Sequence, residues 1–306
     1  MRSPSGRSGP APRPTPAATS EETPGGNSCH DPRSFVRGAA LGPVVHHDYH
    51  VHSTYSDGYF IEFMADAAAE AGLSGIGIAD HCVVSEEPAE DGYRREMGFN
   101  LDLTYERRRD AIERLRDRVD VRLFDAVELD YEPRDEAAIA SFLEEASFDY
   151  TIGSVHDLED VNVHVREYFA DRSKRERRAL VDEYFEKLVA LAESELFAIA
   201  AHPDLVERNP ALRGLATRGH YERAAAAFAE SRTVPELNAG RVLDDYGEFH
   251  PTPAFLDALA DHDVAVAVGT DSHRPGAIAP RVERIETKLT ERGLEPVRVV
   301  DGPDAT

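Results

Sequence analysis

From Val44 onward the chain alternates two hydrophobic patterns. Short apolar runs, such as IGIA at 76–79, YTIGSV at 150–155 and VAVAVG at 264–269, are separated by longer stretches whose apolar residues recur every three or four positions. The first pattern reads as strands covered on both faces, the second as one face of a helix. Seven strands are predicted: Val44–Tyr49, Ser74–Ala79, Val121–Val127, Asp149–Val155, Phe197–Ala201, Val234–Leu237 and Val264–Gly269. Between them, helices are predicted over Phe60–Ala71 (stopped by Gly72), Leu101–Val119, Asp135–Ala146, Ser173–Glu195, Tyr221–Glu230, Pro253–Asp261 and Arg281–Arg292. Ser85–Asn100 and Asp157–Asp171 read as loops, and the apolar run Val297–Val300 closes the pattern.

Such alternation implies a parallel sheet with helices outside it. Periodicity does not separate an open sheet from a closed barrel, but the polar residues favour the barrel. Strand one runs into His50 and His52, strand two into His81, strand three into Glu128, strand four into His156, strand five into His202, and strand seven into Asp271 and His273. Residues two apart on an extended strand point to the same side, so His50 and His52 can reach one point. Asp57 follows in a turn-like Ser-Asp-Gly and can fold back over the same place. In a barrel all these exits share one rim, the face on which barrel enzymes carry their chemistry. A single histidine is more often structural than functional. Here six of the 13 histidines fall at strand exits beside carboxylates, so a metal site is expected.

Imidazole and carboxylate without thiolate suit Zn, Mn or Fe rather than a structural zinc knot. Eight or nine ligands over-supply one ion, so two or three divalent ions are expected. Clustered ions lower the pKa of a bridging water and clamp the attacking and leaving oxygens, which is what phosphate-ester cleavage requires. Asp48, Asp80 and Asp204 flank histidines of the set and are candidates to orient them. Cys82, beside His81, reads as a packing residue.

Composition narrows the setting. Residues 1–40 are rich in Pro, Ser, Gly, Ala and Thr, a composition expected to stay disordered. Residues 41–306 are expected to form a single domain. The net charge is −24, and lysine occurs only at 174, 187 and 288. An acidic surface argues against wrapping duplex nucleic acid, which rewards basic patches. It also predicts a high-salt cytoplasm, because about 1 M salt shrinks the Debye length to about 3 Å and screens self-repulsion. Dialysis into low salt should then unfold the protein. Two cysteines, Cys29 and Cys82, suggest no disulfide framework, and no run is long enough to span a membrane or serve as a secretory signal.

HVH (50–52), ADH (79–81), Glu128 in VELDYE, GSVH (153–156), AHPD (201–204) and GTDSH (269–273), in this order, resemble the polymerase and histidinol phosphatase (PHP) superfamily over Val44 to Arg284. The longer contexts FDYTIGSVHDL, AHPDL, ELNAGR and GTDSHRP resemble its histidinol-phosphate phosphatase branch. The resemblance implies a distorted seven-stranded (β/α)7 barrel, TIM-like, with a trinuclear metal site at the carboxyl rim. It further implies that His50, His52, Glu128 and Asp271 hold one ion, and that Glu128 bridges to a second held by His156 and His202. Asp57, His81 and His273 would hold a third. Arg208 and Arg241 match positions that contact the substrate phosphate. The expected reaction is hydrolysis of L-histidinol phosphate by a bridging hydroxide attacking phosphorus in line, with Glu128, His156 and His202 at its centre. The alternative is a PHP phosphoesterase acting on nucleotides or short oligonucleotides.

Overall fold

A computed structural model describes residues 44–85 and 94–300. The expected N-terminal tail, and 86–93 of the expected 85–100 loop, lie outside the described residues. The strands are β1 (His47–Val51), β2 (Gly75–Cys82), β3 (Arg122–Asp130), β4 (Tyr150–Ser154), β5 (Asp157–Leu158), β6 (Val161–Asn162), β7 (Ile199–Ala200), β8 (Val234–Asn238) and β9 (Ala267–Gly269). The helices are α1 (Ile61–Glu70), α2 (Leu101–Arg116), α3 (Glu136–Ala146), α4 (Arg166–Ala170), α5 (Lys174–Glu193), α6 (Arg218–Glu230), α7 (Pro253–Asp261) and α8 (Pro275–Arg292).

Seven strands pair in parallel in the order β1-β2-β3-β4-β7-β8-β9. The last strand then meets the first. Val51 bridges to Ser272, the amide of His52 donates to the Ser272 carbonyl at 3.0 Å, and the Asp48 carboxylate accepts from the Thr270 amide at 2.9 Å. The result is a nearly closed barrel with helices outside it, as expected.

Alternate residues along these strands face inward. Tyr49, Ala79, Phe124, Ala126, Tyr150, Ile152, Ile199, Ala201 and Ala267 form a buried cluster that contains no helix residue, which is the barrel interior. The other rows, including Ile76, Ile78, Leu123, Val127 and Leu129, pack outward against helix residues such as Ile112, Leu188 and Phe255. The closing run rests on the interior cluster through Val297, Val299 and Val300. The Val297 amide donates to Val266 O at 2.8 Å, and the Val299 amide donates to the Tyr49 hydroxyl at 3.1 Å, so this run covers the amino end of the barrel.

Four expectations need correction. The expected 85–100 loop carries a helical stretch at 94–97. The 157–171 segment is not a plain loop: β5 and β6 form a small hairpin, turned through Glu159 and Asp160 at φ 51° and 58°, and α4 follows. The last helix starts at Pro275 rather than Arg281, because proline is well suited to a first helical position. The first strand is shifted toward the rim and irregular. Three steps from Asp48 to Val51 oppose two steps from Ile76 to Ile78, so β1 carries one extra residue. Such a bulge re-aims side chains. It lets Tyr49 point into the apolar interior while the next residue, His50, reaches the carboxylates at the rim.

Candidate metal centre

The carboxyl ends of the strands bring the predicted ligands to one place. Glu128, from β3, is the hub. Its Oε2 lies 2.9 Å from His81 Nδ1, 3.2 Å from His50 Nε2 and 3.5 Å from His52 Nε2. Its Oε1 lies 2.9 Å from His202 Nε2 and 3.6 Å from His156 Nε2. Asp271 Oδ1 is 3.4 Å from His52 Nε2 and 3.6 Å from His273 Nδ1. Asp57 Oδ2 is 3.2 Å from His273 Nε2, and Asp57 Oδ1 is 3.7 Å from His52 Nδ1 and 3.9 Å from His81 Nε2. The turn that carries Asp57 doubles back on His52: a Cβ at Gly58 would fall 2.2 Å from the His52 carbonyl, which only glycine avoids. His202 and Asp271 take left-handed φ values of 28° and 50°, a conformation costing a non-glycine residue about 1–3 kcal/mol and usually held by surrounding structure.

Buried imidazoles and carboxylates shift one another's titration strongly across the cluster. Burial opposes charge on His50, but Glu236 and Glu128 outweigh it and hold the imidazole well above its usual pKa. Burial likewise opposes charge on His81, and Glu128 and Asp57 push it up to about 9. Burial, with His273 and His81 nearby, drives His52 down to about 4. Against burial, the histidines around Glu128 and those around Asp271 hold both carboxyls well below the usual carboxylate range. Where no ion is bound, protons on His50 and His81 would balance the carboxylates.

The donor atoms fit divalent ions. Three groups, each with ligand atoms within 4.8 Å of one another, are His52–Asp57–His81–His273, His50–His52–Asp271 and His81–Glu128–His156. All donors are N or O. Cys82 is buried in the outer core, as expected of a packing residue. His50 and His52 aim Nε2 at Nε2 across 3.1 Å, a contact that suits a shared cation better than two lone pairs. Glu128 Oε2 and His202 Nδ1 are buried without a hydrogen bond. The grouping differs from the expected partition: His52 and His81 each join two groups, and His202 joins none although it touches Glu128.

A cleft of about 600 Å³ opens over this cluster, lined by Arg208, Arg241 and Arg281 among others. Arg208 is buried and reaches Asp271 Oδ2 at 3.3 Å. Arg241 is exposed on the turn after β8 and pairs with Asp244 at 3.1 Å. The three flanking aspartates do not hold ligand imidazoles. Asp48 ties β1 to Thr270, Asp80 accepts from the Ser53 amide at 2.6 Å and from Arg108 at 3.0 Å, and Asp204 holds His250 at 2.5 Å. Two of the candidate ligand imidazoles are held instead by carboxylates that the sequence reading passed over. Glu236 accepts from His50 Nδ1 at 2.9 Å, and Asp130 accepts from His156 Nδ1. Each leaves the Nε2 of its histidine facing the centre. Asp130 was findable, standing two residues after Glu128 on the same strand face. Glu236 needs Gly269 opposite, where a Cβ would meet its Oε1 at 1.8 Å.

A family model described as PHP domain matches residues 48–240 of this chain. The chain belongs to the PHP domain family. A probable histidinol-phosphatase of Deinococcus radiodurans is 27% identical over 227 residues, 71% of this chain and 81% of the relative. Among solved structures, a histidinol phosphate phosphatase from Lactococcus lactis, complexed with zinc, L-histidinol and phosphate, superposes with a TM-score of 0.65 at 20% identity, covering 83% of this chain and 96% of that one. A putative histidinol phosphatase from Listeria monocytogenes gives 0.62 at 16% identity, covering 76% and 97%. These likenesses establish the PHP barrel. Among the described residues of this PHP protein, no helix is long and apolar enough to cross a membrane.

Proposed function

We propose that this PHP protein is a metal-dependent phosphomonoesterase that hydrolyses L-histidinol phosphate to L-histidinol and phosphate. One observation carries the reading: imidazole and carboxylate donors from six strand exits and the Asp57 turn meet at the floor of a cleft whose wall is a buried arginine, Arg208. The names of the relatives support the substrate, since one neighbour was solved with zinc, L-histidinol and phosphate.

In this reading His50, His52, Asp57, His81, Glu128, His156, His202, Asp271 and His273 hold two or three divalent ions of Zn, Mn or Fe. Bound there, the ions supply Lewis acidity that polarises phosphoryl oxygens and lowers the pKa of the attacking water. Glu128 presents one oxygen toward His50 and His81 and the other toward His202, which suits a ligand shared between ions. Glu236 and Asp130 keep protons on the outer nitrogens of His50 and His156, so that lone pairs face inward. Arg208 and Arg241 bind phosphoryl oxygens, for which a guanidinium offers a planar fork. Met97, Phe99 and Val165 line the cleft with apolar surface that receives the organic part and excludes water.

The test is phosphate release by the purified protein in concentrated KCl with Zn or Mn, on histidinol phosphate, a nucleoside monophosphate, a 3′,5′-bisphosphate and an aryl phosphate. Preference for histidinol phosphate, abolished by His156→Ala, supports the reading. Preference for a nucleotide moves the protein to the nucleotide-cleaving alternative, and no turnover on any phosphoester ends the enzyme reading.

A further inference from the structure

His250 follows no predicted strand and belongs to none of the ligand groups, yet it is fully buried and held on every side. Its backbone pairs with the end of β8: the Asn238 amide donates to His250 O at 2.7 Å, and the His250 amide donates to Asn238 O at 3.1 Å. Tyr246 stacks on its ring, with centroids 5.1 Å apart and planes 7° from parallel. The two ring nitrogens have different partners. Nδ1 lies 2.5 Å from Asp204 Oδ1, and Nε2 lies 2.9 Å from Arg208 Nε. Asp204 is fixed in turn, because its Oδ2 accepts from the Thr252 amide at 2.7 Å.

The chemistry admits one protonation pattern. An arginine donates only, so Nε2 of His250 must be the acceptor of the Arg208 Nε–H. The ring proton then sits on Nδ1 and is donated to Asp204. Arg208 spends Nε on His250 and one terminal nitrogen on Asn238 Oδ1 at 3.2 Å and Asp271 Oδ2 at 3.3 Å. Its other terminal nitrogen has none of these partners, and Arg208 lines the cleft. A free arginine side chain loses rotamer entropy when it is held in one geometry. This one is already held.

We infer that the Asp204–His250–Arg208 relay pre-orients Arg208 for the phosphoryl group, making His250 a positioning residue for anion binding. The inference rests on the proposed role of the cleft in binding a phosphomonoester. It goes further by assigning the affinity for phosphate to a residue that touches neither an ion nor the substrate.

Two substitutions dissect the ring atom by atom. His250→Gln puts an amide oxygen near the position of Nε2 and keeps an acceptor for Arg208. His250→Asn puts an amide nitrogen near the position of Nδ1 and keeps the donor to Asp204 alone. Inorganic phosphate is the probe, as an inhibitor of aryl phosphate hydrolysis by the metal-loaded protein. His250→Asn should raise its inhibition constant about tenfold, equivalent to about 1.4 kcal/mol, with a smaller change in kcat. His250→Gln should stay within about threefold of wild type, because it keeps an acceptor for the Arg208 Nε–H. In an Arg208→Ala background, His250→Asn should add nothing further, since residues acting through one another are not additive. Independently of activity, the Arg208 Nε–H should be protected from exchange in nitrogen-15 NMR of the full chain. The signal is assigned by its loss in Arg208→Lys, and it should persist in His250→Gln and vanish in His250→Asn. Equal losses in the Gln and Asn variants, additive effects in the Arg208→Ala background, or an unprotected Nε–H in wild type would each overturn the relay. If histidinol phosphate is not hydrolysed but the NMR series holds, the relay stands and the substrate reading falls.

Discussion

The two ends of the barrel are built by the same strands and are chemically opposite. Along β3 the inward row reads Phe124, Ala126, Glu128, Asp130: two apolar steps, then two carboxylates. The β4 row passes from Tyr150 and Ile152 toward His156, and the β9 row passes from Ala267 to Asp271. The amino end is filled with aromatic and aliphatic side chains and covered by Val297–Val300. The carboxyl end gathers imidazoles and carboxylates in close pairs, such as Glu128 with His81 at 2.9 Å and Asp57 with His273 at 3.2 Å. Stability and chemistry are therefore divided along each strand rather than between separate elements. Substitutions a few residues apart on one strand should have opposite consequences.

The largest effect is expected at the rim. Glu128→Gln should lower phosphate release at least about 10³-fold, beyond the ten- to hundredfold typical of an outer supporting partner. Calorimetry of the metal-free variant should show some loss of thermal stability, because the protonated His50 and His81 lose the carboxylate that balances them, and the loss should shrink as rising pH removes those protons. A loss that does not shrink with pH would blur the division. Four residues earlier, Phe124→Ala should cost about 3–5 kcal/mol in urea unfolding through the cavity it leaves. The molecules that remain folded should turn over at the wild-type rate. Gly269→Ala sits where the two ends meet, and its Cβ would press on Glu236 Oε1 at 1.8 Å and His50 Cβ at 2.7 Å. About 1–3 kcal/mol of stability should be lost by overpacking, together with weaker metal binding on titration. A loss of stability alone would mean that Glu236 does not support His50.

The smallest test is of pH. In the metal-free protein His81 keeps its proton up to about 9, against an ordinary 6.5. That proton stabilises the metal-free fold fully below pH 6.5, and its contribution disappears as the pH rises through 9. An incoming ion must displace it, so apparent metal affinity should climb between pH 7 and 9, by up to about tenfold per unit for each proton displaced, and then level off. Calorimetry in buffers of different ionisation enthalpy would count the protons. An affinity flat across that range would mean that His81 is not displaced.

The rim was legible in sequence because each apolar run ended in a residue out of keeping with it. His81 after IGIA and His156 after YTIGSV break a pattern, and a broken pattern is visible. Glu236 breaks none: inside VPELN it looks like an ordinary polar residue of a short strand, and only the barrel brings it onto His50. The bulge in β1 is invisible for a different reason, since a register is a relation between two strands and His47–Val51 carries only one of them. His250 and the β5–β6 hairpin lie in segments without periodicity, where position is set by contacts distant in sequence, such as that of Asp204 with His250.

The meeting of the first and last strands bears on the order in which the molecule is made. His52 and Asp271 come within 3.4 Å of one another, and the Asp48 link to Thr270 joins residues 222 positions apart. Contacts of such long range form late, after the entropy of a large loop has been lost. A chain still emerging from the ribosome has His50 and His52 long before Asp271 and His273 exist, so it cannot assemble the whole ligand set. An ion that needs both ends rewards only the finished barrel. Its binding should show as slower unfolding rather than faster folding, because the interactions it adds are absent from the folding transition state. In this barrel the metal would act as the last fastening, recording that the chain has been completed and closed.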